Sequence, residues 1–124
     1  MKHQVVTANT KSAHLLSQGI SAGGFIFVSG QVHAGSDMVL SQGTTADKVE
    51  LIMKNIAEVL TAAGARLDDI VKVIIYVTDM ALMPEINAVY PTYFQDSLPV
   101  REAVCVAALP LGASIEMSVI AVQN

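Results

Sequence analysis

DIVKVIIYVTD, residues Asp69 to Asp79, is β-branched and nearly continuous in its apolar residues. That composition predicts a strand. Alternate side chains of a strand point to opposite faces. Val71, Val73, Ile75 and Val77 fall on one parity, and Ile70, Ile74 and Tyr76 fall on the other. Both faces are therefore apolar, and a sheet of this kind needs cover on both sides. Whatever surrounds this strand has to supply two layers.

The flanking sequence offers material for one of them. Upstream, Val49, Ile52, Ile56, Val59, Leu60 and Ala63 share one helical face. Thr44, with Asp47 three residues on, predicts a capping box at its start, and Gly64 a left-handed stop at its end. Downstream, Leu82, Ile86, Val89, Tyr90 and Tyr93 recur at helical spacing. Pro84 suits a first turn, whereas Pro91 is expected to bend or break that helix. Further strands are predicted at His3 to Ala8, Phe25 to Val32, Val100 to Leu109 and Ser114 to Gln123. The order is β-β-α-β-α-β-β, an α+β chain with a mixed sheet and two helices on one face. No third layer remains, so other subunits are expected to cover the second face.

Composition agrees. The 124 residues fit one domain, 1–124. They are 52% apolar and only 15% charged, against the ~25% charged typical of globular domains. No apolar run approaches the ~20 residues of a membrane span, and the first residues lack the apolar core of a signal peptide. The expectation is an oligomer in the cytoplasm, without a membrane partner. Net charge is −4 and the seven basic residues are scattered, which argues against a nucleic-acid partner. A single cysteine, Cys105, excludes an intrachain disulfide.

Strong chemical motifs are few. GISAGG lacks the spacing of a dinucleotide loop, and no Walker lysine follows. His3, His14 and His33 show no metal-binding spacing and are expected at surfaces or turns, so no metal and no cofactor is expected. Cys105 lies between Val104 and Val106 and reads as an inert core thiol. Arg101 is harder to place. A buried guanidinium needs an anionic partner, and Asp96, Glu102, Glu116 or a ligand carboxylate would each serve. Arg101 and Glu102 alternate across the strand and point to opposite faces. Asn87 and Ser29 are polar groups at the ends of apolar segments, where capping or turn hydrogen bonds are the commoner role.

VSGQV, TAAGARLDDIVKVIIYVTDM, INAVYPTYF, LPVREAVCVAALP and IEMSVIAV together resemble the reactive-intermediate deaminase family, also called Rid or YjgF-like. The resemblance runs over nearly the whole chain from about Asn9. It implies a chorismate-mutase-like fold assembled as a homotrimer, with a central β-barrel and ligand clefts between subunits. It also implies hydrolysis of 2-imino or 2-enamino acids, released by pyridoxal-phosphate enzymes, to 2-oxo acids and ammonia without a cofactor. By the same resemblance Arg101 holds the substrate carboxylate and Glu116 positions the attacking water. Asn87, Ser29, Gly30 and the main chain of Ala103 contact the substrate. The chain departs from the family pattern twice. Ala103 stands where deaminating members usually have cysteine, and Leu16 where they usually have a tyrosine that closes the pocket. The resemblance also leaves room for a non-catalytic trimer that binds small carboxylates or regulates a partner.

Overall fold

The computed structural model describes residues 1–9 and 11–124. Six strands form one sheet: β1 (His3–Val5), β2 (Gly19–Ala22), β3 (Phe25–Val32), β4 (Ile70–Val77), β5 (Val100–Cys105) and β6 (Ile115–Val122). Two helices, α1 (Thr45–Ala62) and α2 (Met83–Val89), complete the α+β architecture. The spatial order is β1-β2-β3-β6-β4-β5. All neighbours are antiparallel except β4 and β5, which run parallel, so the sheet is mixed. The parallel pair needs a crossover, and α2 supplies it.

Strand β2 lies outside the predicted elements. GISA is short, and its flanking glycines read as punctuation. Gly23 and Gly24 both take positive φ, 59° and 83°, as a two-residue hairpin turn requires. The Gly-Gly pair was thus the signal for a β2–β3 hairpin. Two predicted strands are also shorter than expected. β1 stops at Val5, not Ala8, and β5 at Cys105, not Leu109.

The helices follow their sequence signals closely. Thr44 Oγ accepts from the Asp47 amide, and the Asp47 carboxylate accepts from the Thr44 amide. Gly64 ends the run with φ 80°. Val49, Ile52, Met53, Ile56, Val59 and Leu60 are buried against the sheet, each worth about 1.5–3 kcal/mol of transfer free energy. Pro84 sits in the first turn of α2. The helix ends at Val89, and a 3-10 turn over Tyr90–Tyr93 holds Pro91. Proline cannot continue the helical ladder, so the break falls where its missing N–H demands it.

Sidedness is the feature that positions the site. Val73, Ile75 and Val77 of β4, with Ile115, Met117, Val119 and Ala121 of β6, are buried on the helix-covered face. Ile74 and Tyr76 face the other way with Phe25, Phe27, Val104 and Ile120, and no part of the chain covers them fully. Within that open face Lys72 pairs with Glu102 at 3.3 Å. No helix among the described residues is long and apolar enough to cross a membrane.

Candidate active site

Arg101 lies on β5, in register with Val73, so its side chain emerges on the helix-covered face. It is exposed, contrary to the expectation of a buried arginine. β5 is the last strand of the sheet and every one of its residues is exposed in the single chain. Among the described residues Arg101 makes no ion pair. Instead its Nη1 donates to Asn87 Oδ1 at 2.8 Å, and its guanidinium carbon lies 5.1 Å from the centre of the Tyr90 ring. Ala103 follows two residues on, in register with Ile75 and on the same face. Cys105 continues that row and is exposed, which corrects the reading of an inert core thiol.

Glu116 lies on the central strand, paired with Val32 of β3 and Tyr76 of β4. Tyr76 belongs to the open face, and Glu116 with it. Its carboxylate passes directly over Gly30: a Cβ built there would stand 2.7 Å from Oε2 and 2.9 Å from Cδ. Gly30 and Ser29 form the irregularity in the β3–β6 ladder between Val28 and Gln31, the kind of bulge that re-aims side chains. Burial, with no hydrogen-bond or ion-pair partner among the described residues, pushes the Glu116 carboxyl above the usual carboxylate range.

Ser29 fastens this bulge to the preceding segment. Its Oγ donates to the Ser17 carbonyl at 2.6 Å and its amide to the Gln18 carbonyl at 2.9 Å. Leu16 sits on that segment, 44% exposed. Leu16, Ser29 and Gly30 line a cavity of about 110 Å³ with Gln18, Gln31 and Asn55.

The predicted residues thus fall into two groups. Arg101, Asn87 and Ala103 stand on one face of the sheet; Glu116 stands on the other, above Gly30, and Gly30 shares its cavity with Ser29 and Leu16. A direct Arg101–Glu116 ion pair within one chain is ruled out by parity. β4 separates their strands, and they point to opposite sides.

One histidine breaks the surface-or-turn expectation. His33 is 2% exposed. Its Nε2 accepts from the Ser114 amide at 3.1 Å, and its Nδ1 lies 3.1 Å from the Ser41 carbonyl. Only the neutral ring with hydrogen on Nδ1 satisfies both bonds. Burial first, and the Lys48 charge second, push its pKa down. His33 thereby ties the loop before β6 to the end of β3, a role its spacing in the sequence did not signal. Among the described residues no three His, Cys, Asp or Glu side chains cluster as metal ligands would.

With strand order, sidedness and the two groups established, the chain can be set against known proteins. The crystal structure of yeast Mmf1 superposes with a TM-score of 0.93 at 36% identity, over 100% of both chains. The architecture is therefore that of the α+β, YjgF-type proteins. A family model described as Endoribonuclease L-PSP matches residues 6–123, and this chain belongs to that family, which includes the Rid proteins. The yeast protein HMF1 is 42% identical over 108 residues, covering 87% of this chain and 84% of that one. The 2-iminobutanoate/2-iminopropanoate deaminase of mouse is 40% identical over 109 residues, covering 87% and 81%.

Proposed function

We propose that the protein hydrolyses 2-imino and 2-enamino acids to 2-oxo acids and ammonia, in clefts between the subunits of a homotrimer. One observation carries the reading. An unpaired arginine held by a helix and an unpaired, desolvated glutamate stand on opposite faces of one sheet. They can act on one small molecule only if a neighbouring copy brings its own Arg101 face to this Glu116 face. The uncovered apolar face around Phe27, Ile74 and Ile120 supplies the area for such an association, and the deaminase name of the mouse relative supplies the reaction class.

In this reading Arg101 pairs with the substrate carboxylate, because its planar fork matches a carboxylate's two oxygens. Asn87 holds the fork from behind. The Ala103 carbonyl accepts from the iminium N–H and keeps the electrophile protonated. Glu116 of the adjacent subunit orients a water and accepts its proton as the oxygen attacks the imine carbon. Its raised pKa brings the carboxylate closer to working pH, where a general base is most effective. The carbinolamine nitrogen takes that proton back from Glu116, and the regenerated carboxylate accepts the hydroxyl proton as the C–N bond breaks, releasing ammonia and the 2-oxo acid. Ser29 and Gly30 shape the floor beneath the carboxylate. Leu16 closes the cavity with an apolar side chain, which favours small alkyl substrates. No step requires a metal or an organic cofactor. The substrate is a product of pyridoxal-phosphate chemistry, and the cytoplasm is the proposed compartment.

Ammonia release from imine generated in situ by an amino-acid oxidase tests this. Wild type should accelerate it, and Arg101→Ala should not. Equal acceleration by both proteins would remove Arg101 from the mechanism. A non-catalytic carboxylate-binding trimer retains Arg101 and has no use for a desolvated glutamate. Binding of a 2-oxo acid that survives Glu116→Ala, without wild-type hydrolysis, would favour it. RNA cleavage has the family name, Endoribonuclease L-PSP, behind it, but the scattered basic residues and net charge of −4 give it no phosphate-binding stripe.

A further inference from the structure

We propose that Tyr90 is a positioning residue for carboxylate binding: its ring face holds the Arg101 guanidinium in the plane from which it takes the substrate. This rests on the imino-acid reading above and names the residue that sets its carboxylate selectivity.

A flexible arginine on an exposed edge strand would sample many rotamers, and ordering it on binding would cost affinity. Here it is held from two directions. Asn87 Oδ1 accepts from Nη1 at 2.8 Å, at the edge of the guanidinium. The Tyr90 ring lies against the guanidinium with its centre 5.1 Å from Cζ, within the ~6 Å of a cation–π contact. Asn87 and Tyr90 are three residues apart, so one helical turn presents both. Pro91 stops the regular helix there, leaving Tyr90 at the start of the 3-10 turn. The ring is itself fixed, being 3% exposed and packed at 5.2 Å, tilted by 56°, against Phe94. The guanidinium makes no other hydrogen bond or ion pair among the described residues, and its remaining N–H groups are available to a carboxylate.

The Tyr90 hydroxyl is buried and finds no hydrogen-bond partner among the described residues. Phenylalanine would fill the same space without an orphaned donor. The contact with Arg101 is made by the ring face, which Tyr90→Phe retains.

The experiment measures binding of 2-oxobutanoate, a stable 2-oxo acid, by calorimetry, and kcat and KM on in-situ imine, for five proteins. Relative to wild type, Tyr90→Leu should weaken 2-oxobutanoate and raise KM about tenfold, with kcat changed far less. Tyr90→Phe should restore both to within about twofold. In an Arg101→Ala background, adding Tyr90→Leu should change binding no further, because Tyr90 acts only through the arginine. NMR of the wild type needs no variant: the Arg101 side-chain protons should show the upfield ring-current shift of a group above an aromatic face. Unshifted protons, unaltered binding in Tyr90→Leu, or an equal loss in Tyr90→Phe would each overturn the role. Wild type that binds 2-oxobutanoate but does not accelerate hydrolysis would overturn the deaminase reading and leave the Tyr90 role standing. Wild type that binds nothing would overturn both.

Discussion

β5 and β6 look alike as sequence and behave oppositely as structure. Each is an apolar strand with a charge near its start, Arg101 in VREAVC and Glu116 in IEMSVIAV. β6 lies between β3 and β4, and its residues alternate buried and half-buried along all eight positions. β5 lies at the sheet edge and is exposed at all six. The two charges inherit this difference. Arg101 keeps its water and is steered by Asn87 and Tyr90. Glu116 loses much of its water, gains no partner among the described residues, and takes the space left by the missing side chain of Gly30. On the proposed reading, the solvent-exposed cation and the desolvated carboxylate are complementary halves of one site, kept apart within one chain by the sheet itself.

The largest effect should come from blocking the union of those halves. Ile120→Asp places a charge on the open face opposite Phe27. Wild type should sediment as a trimer by analytical ultracentrifugation and this variant as a monomer, with imine hydrolysis abolished together with assembly. Monomers with full activity would mean that one chain carries a complete site.

Glu116→Gln comes next. Loss of a general base should lower the enzymatic acceleration by about 10²–10⁴-fold. The same change should raise the thermal midpoint at neutral pH, because it removes a desolvated charge. A variant both inactive and less stable would show that Glu116 is a structural group.

Arg101→Lys keeps the charge and loses the fork. KM should rise by about 10- to 100-fold, on the order of 1.5–3 kcal/mol for a charged hydrogen bond, with stability nearly unchanged because the residue is exposed. Gly30→Ala should act more gently. The added methyl would push aside the far end of the Glu116 side chain, costing about tenfold in kcat with little effect on folding. A Gly30→Ala protein as active as wild type would show that the carboxylate works from another rotamer.

The smallest effects are the pH slopes of stability, each below the ~1.4 kcal/mol per pH unit of one whole proton. Glu116 has a folded pKa above its ordinary value, so the folded chain binds the proton first. Its contribution is fully present below about pH 4.5 and is lost as pH rises through the folded value; Glu116→Gln should remove that decline. His33 has a folded pKa below its ordinary value, so the unfolded chain binds the proton first. Stability should be constant above about pH 6.5 and fall as pH drops through the window beneath it. Denaturant titrations of His33→Gln, which lacks the titrating ring, should lose that fall.

Much of this was legible in the residues. Periodic apolar faces and caps marked both helices, because helical repeats and Thr44, Gly64 and Pro84 act locally. Pro91 forecast the break in α2 for the same reason. The two apolar parities of β4 forecast a sheet face that one chain leaves open. β2 escaped notice because four residues with serine and glycine carry little strand propensity, and only the Gly-Gly turn betrays the hairpin. Cys105 reads as buried and is exposed in the single chain, as is Arg101, because apolar neighbours do not say whether a strand is central or at an edge. His33 was misjudged the other way, since its two partners, Ser41 and Ser114, are brought to it by folding.

By itself, then, the sequence determined the local elements, the excess of apolar sheet surface, and the family to which its motifs belong. Tertiary structure alone decided that β6 runs through the centre and β5 along the rim. It also decided that Arg101 and Glu116 emerge on opposite faces, and that Tyr90 lies beneath the guanidinium. The physical reason is that periodicity and capping act over a few residues, while strand order and facing depend on which distant segments share a ladder.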